Sequence, residues 1–170
     1  EVTADACDDV DPGALSIDKT IATPTINADG TFEVVYTVTV ANDGLLRLPY
    51  DLDDELFFGA GLDIDASGVS VSVAGDPVVP TALLNTGFDG VTDTTVVSGA
   101  LLDGGGSHVY TIVVTGTVAA STTTTAASCA GGATPAVGGF LNVATLNPGP
   151  DEQTASACDD VDPGELSITK

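Results

Sequence analysis

Basic residues are nearly missing from this 170-residue chain, which has 25 acidic side chains against three lysines and arginines and a formal net charge of -22. Nucleic-acid binding requires a basic surface that displaces counterions from phosphates, and anionic membranes attract basic segments for the same reason. The charge therefore argues against nucleic acid as a partner and against membrane contact by this segment.

Long apolar runs are missing as well. No run reaches the roughly 18 residues that a membrane-spanning helix needs, and no basic segment precedes an apolar stretch as in a secretory signal. Glutamate is also scarce, since 20 of the 25 acids are Asp. Asp, Gly, Thr and Val are typical of strands joined by turns, and 43% hydrophobic residues are enough to disfavour disorder. The composition predicts an all-β fold.

The patterns that mark enzymes are missing too. His108 is the only histidine, and no G-x-S-x-G motif or comparable nucleophile loop accompanies it. The glycines at 104–106 lack the lysine and helix of a phosphate-binding loop, and the three cysteines are too far apart for a zinc site. We therefore predict that the chain is not an enzyme and that His108 is structural.

The two ends of the chain carry the same sequence. Residues 1–19 read EVTADACDDVDPGALSIDK and residues 152–170 read EQTASACDDVDPGELSITK, identical at 15 of 19 positions. Such self-similarity is typical of a tandem array. We interpret residues 1–13 as the junction from a preceding repeat, 14–158 as the repeat itself and 159–170 as the start of the next repeat.

The cysteines fit this interpretation. Cys7 and Cys158 occupy equivalent positions, whereas Cys129 has no counterpart, so each repeat has two cysteines. We predict a Cys129–Cys158 disulfide, with Cys7 bonded to the equivalent of Cys129 in the preceding repeat; two free thiols, or a Cys7–Cys129 bridge, are the alternatives. The bridge would contribute about 3.6 kcal/mol by closing a loop, and it implies an extracellular location.

Alternating apolar residues predict about eight strands. The clearest run is Phe32–Val40, followed by the turn Asn42-Asp43-Gly44. Similar alternation occurs at 15–21, 50–56 and 69–73, and further strands are expected at 96–97, 108–118 and 140–146. The Ser/Thr-rich stretch at 121–128 is expected to be a loop. Strands without a credible helix predict a β-sandwich.

Several segments resemble one known domain family in order and spacing. They are LSIDKT at Leu15–Thr20, YTVTVANDG at Tyr36–Gly44, LDDEL at Leu52–Leu56, GALLDGGGSHVYTIVVTGTV at Gly99–Val118 and LNVATL at Leu141–Leu146. The family is the immunoglobulin-like "conserved repeat" domain, found in tandem in large bacterial cell-surface proteins and adhesins. The resemblance implies an immunoglobulin-like β-sandwich that is one repeat of a tandem array.

One lysine occurs per repeat, because Lys170 is the equivalent of Lys19. Lys19, Asp54 and Asn142 are each in phase with inward-facing apolar neighbours on separate predicted strands. A buried amine, a buried acid and an Asn amide are the requirements for a spontaneous isopeptide bond, and surface domains of this broad type form such bonds. The alternatives are an ordinary ion pair of Lys19 with Asp18 or Asp54, or a different strand phase.

The acidic junction is a candidate calcium site. Its carboxylates are Asp8, Asp9 and Asp11 in the first copy and Asp159, Asp160 and Asp162 in the second. Carboxylate oxygens are the ligands that Ca²⁺ prefers, but the spacing is not that of an EF-hand. The alternative is a solvated acidic turn that keeps repeats soluble.

Two functions are consistent with these patterns. The first is a structural repeat of a long extracellular fibre or adhesin stalk, stabilised by covalent cross-links and in contact with neighbouring repeats. The second is an adhesin module that binds a surface glycan or a host protein. Near-identity across the junction favours the structural repeat.

Overall fold

The computed structural model describes residues 14–75, 83–129, 138–147 and 152–161, and in these residues nine β-strands form two antiparallel sheets. The strands are β1 Leu15–Ile21, β2 Thr25–Ile26, β3 Thr31–Asn42, β4 Leu48–Leu56, β5 Leu62–Gly75, β6 Thr95–Leu102, β7 Ser107–Val118, β8 Asn142–Leu146 and β9 Gln153–Ala157. The prediction of an all-β sandwich is confirmed.

The first sheet has the order β1-β3-β7-β5, with the short β2 also paired to β3, and the second has the order β6-β4-β8-β9. In the first sheet Val38 lies between Lys19 of β1 and Tyr110 of β7. In the second sheet Leu56 of β4 lies opposite Asn142 of β8. Strand β1 lies against β9, the edge strand of the second sheet, where Gln153 Nε2 donates a 2.7 Å hydrogen bond to the carbonyl of Leu15.

Strand β3 shows how the sequence pattern becomes a core. Its inward residues are all buried, whereas the residues between them are exposed or partly exposed. The inward set is Phe32, Val34, Tyr36, Val38 and Val40. Side chains of this size contribute roughly 1.5–3 kcal/mol each when fully buried, so the alternation is sufficient to orient the strand.

Aromatic rings close one end of the core. The ring of Phe140 packs 4.9 Å from that of Phe32 and 5.3 Å from that of Phe58, between centroids. Tyr36 donates a 2.6 Å hydrogen bond to the carbonyl of Phe140. Gly116 faces the Phe32 ring, and a Cβ there would lie 2.6 Å from Phe32 Cζ and 2.2 Å from the carbonyl oxygen of Asp63, so only glycine fits.

One expectation needs correction, because the Ser/Thr-rich stretch is not wholly loop. Thr124–Ala127 forms a single helical turn, α1. Thr123 precedes it, and its hydroxyl accepts a 3.2 Å hydrogen bond from the backbone N–H of Ala126. Threonine is a favoured N-cap because its side chain satisfies one of the free N–H groups of the first turn.

The strand termini define two ends of the sandwich. The first, which we call the leading end, is formed by the strand termini at Leu15, Asn42, Leu48, Leu102 and Ser107. The second, which we call the trailing end, is formed by the strand termini at Thr31, Leu56, Leu62, Val118 and Ala157. The chain enters at the leading end. Its last described residue, Val161, is buried and donates a 2.7 Å hydrogen bond to the carbonyl of Ala127 beyond the trailing end of β9.

Candidate functional site

Lys19 points into the sandwich from β1. The residue lies opposite Val38, and its side chain has no solvent exposure. Its neighbour Asp18 is exposed on the other face of the strand, as the period of two requires. A lysine buried in this way needs a partner, because removing an ammonium group from water is costly.

Asp54 is that partner. It is fully buried on β4, and its Oδ2 accepts a hydrogen bond from Lys19 Nζ in a completely buried ion pair. Lys19 Nζ also lies 5.2 Å from the centre of the Tyr36 ring, within the range of a cation–π contact. Lys19 therefore does not reach out to water at the strand end but is held between the two sheets.

Asn142 completes the cluster from the first position of β8. It is fully buried and lies opposite Leu56 on one side and Ala157 on the other. Neither Oδ1 nor Nδ2 of Asn142 forms a hydrogen bond of normal geometry with a described residue, although the amide lies close enough to Asp54 to lower the pKa of its carboxyl group. Oδ1 of Asp54 has no hydrogen-bond partner among the described residues either. Each buried polar atom without a partner costs about 1–3 kcal/mol, so this arrangement is expensive for the fold.

Burial shifts the proton equilibrium of the pair. Desolvation lowers the pKa of Lys19, and the Asp54 carboxylate only partly opposes this shift. Desolvation raises the pKa of Asp54, while Lys19 and the nearby Asn142 amide act in the opposite direction. Both shifts favour the form in which the proton has moved from the ammonium group to the carboxyl group.

The three predicted residues are thus brought together from three strands. A neutral Lys19 amine is a nucleophile, the Asn142 amide carbon is an electrophile, and a protonated Asp54 is an acid placed beside both. Of the two ion-pair partners considered from the sequence, Asp54 is the one in contact and Asp18 is not. The ion pair of Lys19 and Asp54 is therefore part of the predicted cluster, and Asn142 is its third member.

A covalent bridge lies at the trailing end. Cys129 and Cys158 form a disulfide with a Cα–Cα distance of 6.0 Å, which confirms the predicted pairing. Asp160 accepts a 2.6 Å hydrogen bond from the backbone N–H of Cys129, and the carbonyl of Asp159 accepts one of 2.9 Å from Phe140. Together with the buried Val161, these contacts fasten the segment after β9 onto the sandwich.

Only part of the predicted calcium site lies in the residues that the structure describes. Asp8, Asp9, Asp11 and Asp162 lie outside the described residues, as does Cys7. Within the described ranges, no group of three or more His, Cys, Asp or Glu side chains is arranged to hold a metal ion. Calcium binding at the junction therefore stays a prediction.

A second buried polar cluster was not predicted from the sequence. The Tyr50 hydroxyl of β4 is hydrogen-bonded to His108 Nδ1 at 2.6 Å and to the Tyr110 hydroxyl at 2.5 Å, both on β7. Desolvation raises the pKa of Tyr110 to about 12. The inward phase of Tyr50 and Tyr110 was a signal of burial, but their contact depends on which strands face each other across the sandwich.

Comparison with known proteins adds no assignment. No protein family, no curated protein and no solved structure matches this chain. None of the helices described in the structure has the length and apolar character needed to cross a membrane.

Proposed function

We propose that this chain is a structural repeat of a long extracellular fibre or adhesin stalk, and that its sandwich is locked by an autocatalytic isopeptide bond between Lys19 and Asn142. The observation that carries the proposal is the buried Lys19–Asp54 pair beside an Asn142 amide without hydrogen-bond partners. The resemblance to tandem immunoglobulin-like surface domains and the duplicated ends support the same function.

The proposed reaction begins when a proton moves from Lys19 Nζ to Asp54. The neutral amine attacks Asn142 Cγ while Asp54 gives its proton to Oδ1. Asp54 then removes a proton from the attacking nitrogen and delivers it to Nδ2, the Cγ–Nδ2 bond breaks, and ammonia leaves. The hydroxyl proton returns to Asp54 as the carbonyl re-forms, so the products are one amide and one ammonia, with Asp54 again protonated.

The reaction relieves a strain that the fold otherwise carries. Before it, the core holds a buried ion pair and an amide without partners, and buried charges are tolerated only when well paired. After it, the charge pair is gone and a neutral amide joins the first sheet to the second. The free-energy cost of burying these three polar side chains therefore favours formation of the covalent bond.

The positions of the two cross-links suit a chain under tension. Force enters at the leading end through β1 and leaves after β9. An isopeptide at Lys19 would carry force directly to Asn142, and the disulfide joins Cys158 to Cys129. Together they would bypass most of the residues between the two ends of the domain.

The surroundings expected for such a fibre agree with the chain's chemistry. A disulfide is compatible with an oxidising, extracellular compartment. The net charge of -22 would keep separate chains apart in solution.

The intact mass of the full chain tests the proposal. After reduction and denaturation, the mass should be lower than that of the sequence by one ammonia molecule, and digestion should yield a branched peptide joining Lys19 to Asn142. The Lys19→Arg variant should lose both signals. Lys170→Arg is the matched control, since it changes the equivalent lysine of the second copy and should retain both. An unshifted mass without a branched peptide would overturn the proposal.

A further inference from the structure

The exposed apolar side chains of the sandwich are concentrated at its two ends. Among the described residues, six large apolar side chains are exposed. Leu45, Leu46 and Leu101 lie at the leading end, and Ile26 and Val91 lie at the trailing end. Leu83 lies apart from both ends, beside the middle of β6.

The leading-end leucines are held outward by a buried side chain. Leu45 is 79% exposed and Leu46 50% exposed. Asn42, which is almost completely buried, donates hydrogen bonds of 2.8 Å to the Leu46 carbonyl and 3.1 Å to the Leu102 carbonyl, and it accepts one of 3.1 Å from the N–H of Gly44. The loop is therefore fixed in a conformation that presents two adjacent leucines to solvent, and contiguous exposed apolar side chains are typical of interaction sites.

The trailing-end loop is fixed in a comparable way. The Asp89 carboxylate accepts hydrogen bonds of 2.8, 2.7 and 3.0 Å from the backbone N–H groups of Val91, Thr92 and Asp93. Val91 is 56% exposed in this loop. The loop touches the trailing end because the carbonyl of Gly90 accepts a 2.8 Å hydrogen bond from Leu56.

The duplicated sequence limits how far apart two consecutive copies can lie. Val161 packs against its own sandwich, and its counterpart in the first copy of the duplicated segment is Val10. Only residues 11–14 separate Val10 from Leu15, where β1 begins. Five residue steps span at most about 18 Å, and Pro12 restricts the connection further. The trailing end of one copy must therefore lie beside the leading end of the next.

We infer that Leu45 and Leu46 form a docking surface for the trailing end of the preceding copy. This inference rests on the proposed tandem array. A short tether raises the effective concentration of the second surface into the millimolar range, which offsets the mutual repulsion of two strongly acidic copies. Two separate chains have no such tether, so the contact forms between consecutive copies and not between free molecules.

A shallow groove beside these leucines adds room for the contact. It has a volume of about 400 Å³ and is lined by Gly75, Asp103 and residues 104–107. The backbone of Leu45 is in contact with Gly104, where a Cβ would lie 2.5 Å from the Leu45 carbonyl. The groove and the leucines are therefore one continuous surface at the leading end.

A tryptophan reporter tests the inference, because the chain has no tryptophan of its own. In a two-copy protein made by joining residues 1–161 to residues 11–170, Leu45→Trp is introduced into one copy at a time. We expect a blue-shifted emission and reduced acrylamide quenching when the reporter is in the second copy, whose leading end is covered. In the first copy the same residue should remain water-exposed and fully quenched.

Leu83→Trp is the matched control, since this leucine is exposed away from both ends and should behave alike in the two copies. Equal emission and quenching for Leu45→Trp in both copies would overturn the docking surface. The intact mass of the same two-copy protein separates this result from the proposed function. Loss of two ammonia molecules together with equal Trp signals in both copies would contradict the docking surface alone. An unshifted mass would contradict the proposed cross-link.

Discussion

The sandwich buries two polar clusters, and they differ in how their polar atoms are satisfied. Tyr50, His108 and Tyr110 are joined by short hydrogen bonds between the two sheets. In the cluster of Lys19, Asp54 and Asn142, one ion pair is formed while the Asn142 amide and one oxygen of Asp54 have no partner among the described residues.

The difference is the reason for proposing a structural role for the first cluster and a chemical role for the second. A satisfied polar network stabilises one packing of the core, and it has nothing to gain from a change of covalent structure. An amide left without partners beside an amine and an acid is destabilising as it stands, so a reaction that consumes the amide is favoured by the fold around it. Burial shifts pKa values in both clusters, so the polar atoms without partners, and not the shifts, distinguish the second cluster.

The largest expected difference is mechanical, and Lys19→Met would reveal it. With both cross-links, force passes from Lys19 to Asn142 and back along the chain to Cys129, a path of at most about 47 Å at 3.6 Å per residue. Without the isopeptide, the chain from residue 19 to Cys129 unravels, giving about 400 Å. Single-molecule force spectroscopy measures this extension. Equal extension for the variant and the parent chain would mean that no isopeptide bond joins Lys19 to Asn142.

The second prediction concerns the acid. Asp54→Asn keeps the shape of the side chain but cannot exchange protons, so isopeptide formation should slow by about 10²- to 10⁴-fold, the usual contribution of general acid–base catalysis. Asp53→Asn on the same strand is the matched control, because Asp53 faces the opposite side of β4. Mass spectrometry at successive times after refolding measures the rate. A variant as fast as its control would exclude Asp54 from the reaction.

The third prediction is a bell-shaped pH profile for the same rate. The reactive cluster holds one proton between Lys19, whose pKa is lowered, and Asp54, whose pKa is raised. At low pH a second proton keeps Lys19 charged, and at high pH the shared proton is lost, so the rate should fall about tenfold per pH unit on each side. The chain is assembled by peptide ligation and kept in denaturant so that it has not yet reacted. It is then refolded at each pH, and the loss of ammonia is followed by mass spectrometry. A rate that rises steadily with pH would show that Asp54 is not needed as an acid.

The smallest effect is expected in the satisfied cluster. Tyr50→Phe removes the hydroxyl that links His108 to Tyr110 and leaves buried polar atoms with one partner fewer, which should cost about 1–3 kcal/mol of unfolding free energy. Denaturant titration measures this loss, while the intact mass should be unchanged. Loss of the cross-link in Tyr50→Phe would contradict a purely structural role for the cluster of Tyr50, His108 and Tyr110.

Much of the site was open to prediction from local pattern. The alternation around Lys19, Asp54 and Asn142 predicted that all three point inward, and the offset between the duplicated ends predicted that Cys129 pairs with Cys158. The missing hydrogen bonds of Asn142 were beyond prediction, because they depend on which side chains of β1, β4 and β8 meet. The contact of Tyr50 with His108 and Tyr110 could not be predicted for the same reason.

The sequence by itself determined the all-β character, the inward faces of the strands, the acidic balance and the duplicated ends, since each follows from composition, from a period of two along one strand or from comparing two segments of the chain. Only the tertiary structure decided which buried polar groups are satisfied and where the exposed leucines lie. Those properties arise from contacts between residues far apart in the chain, and local alternation contains no information about which strand faces which.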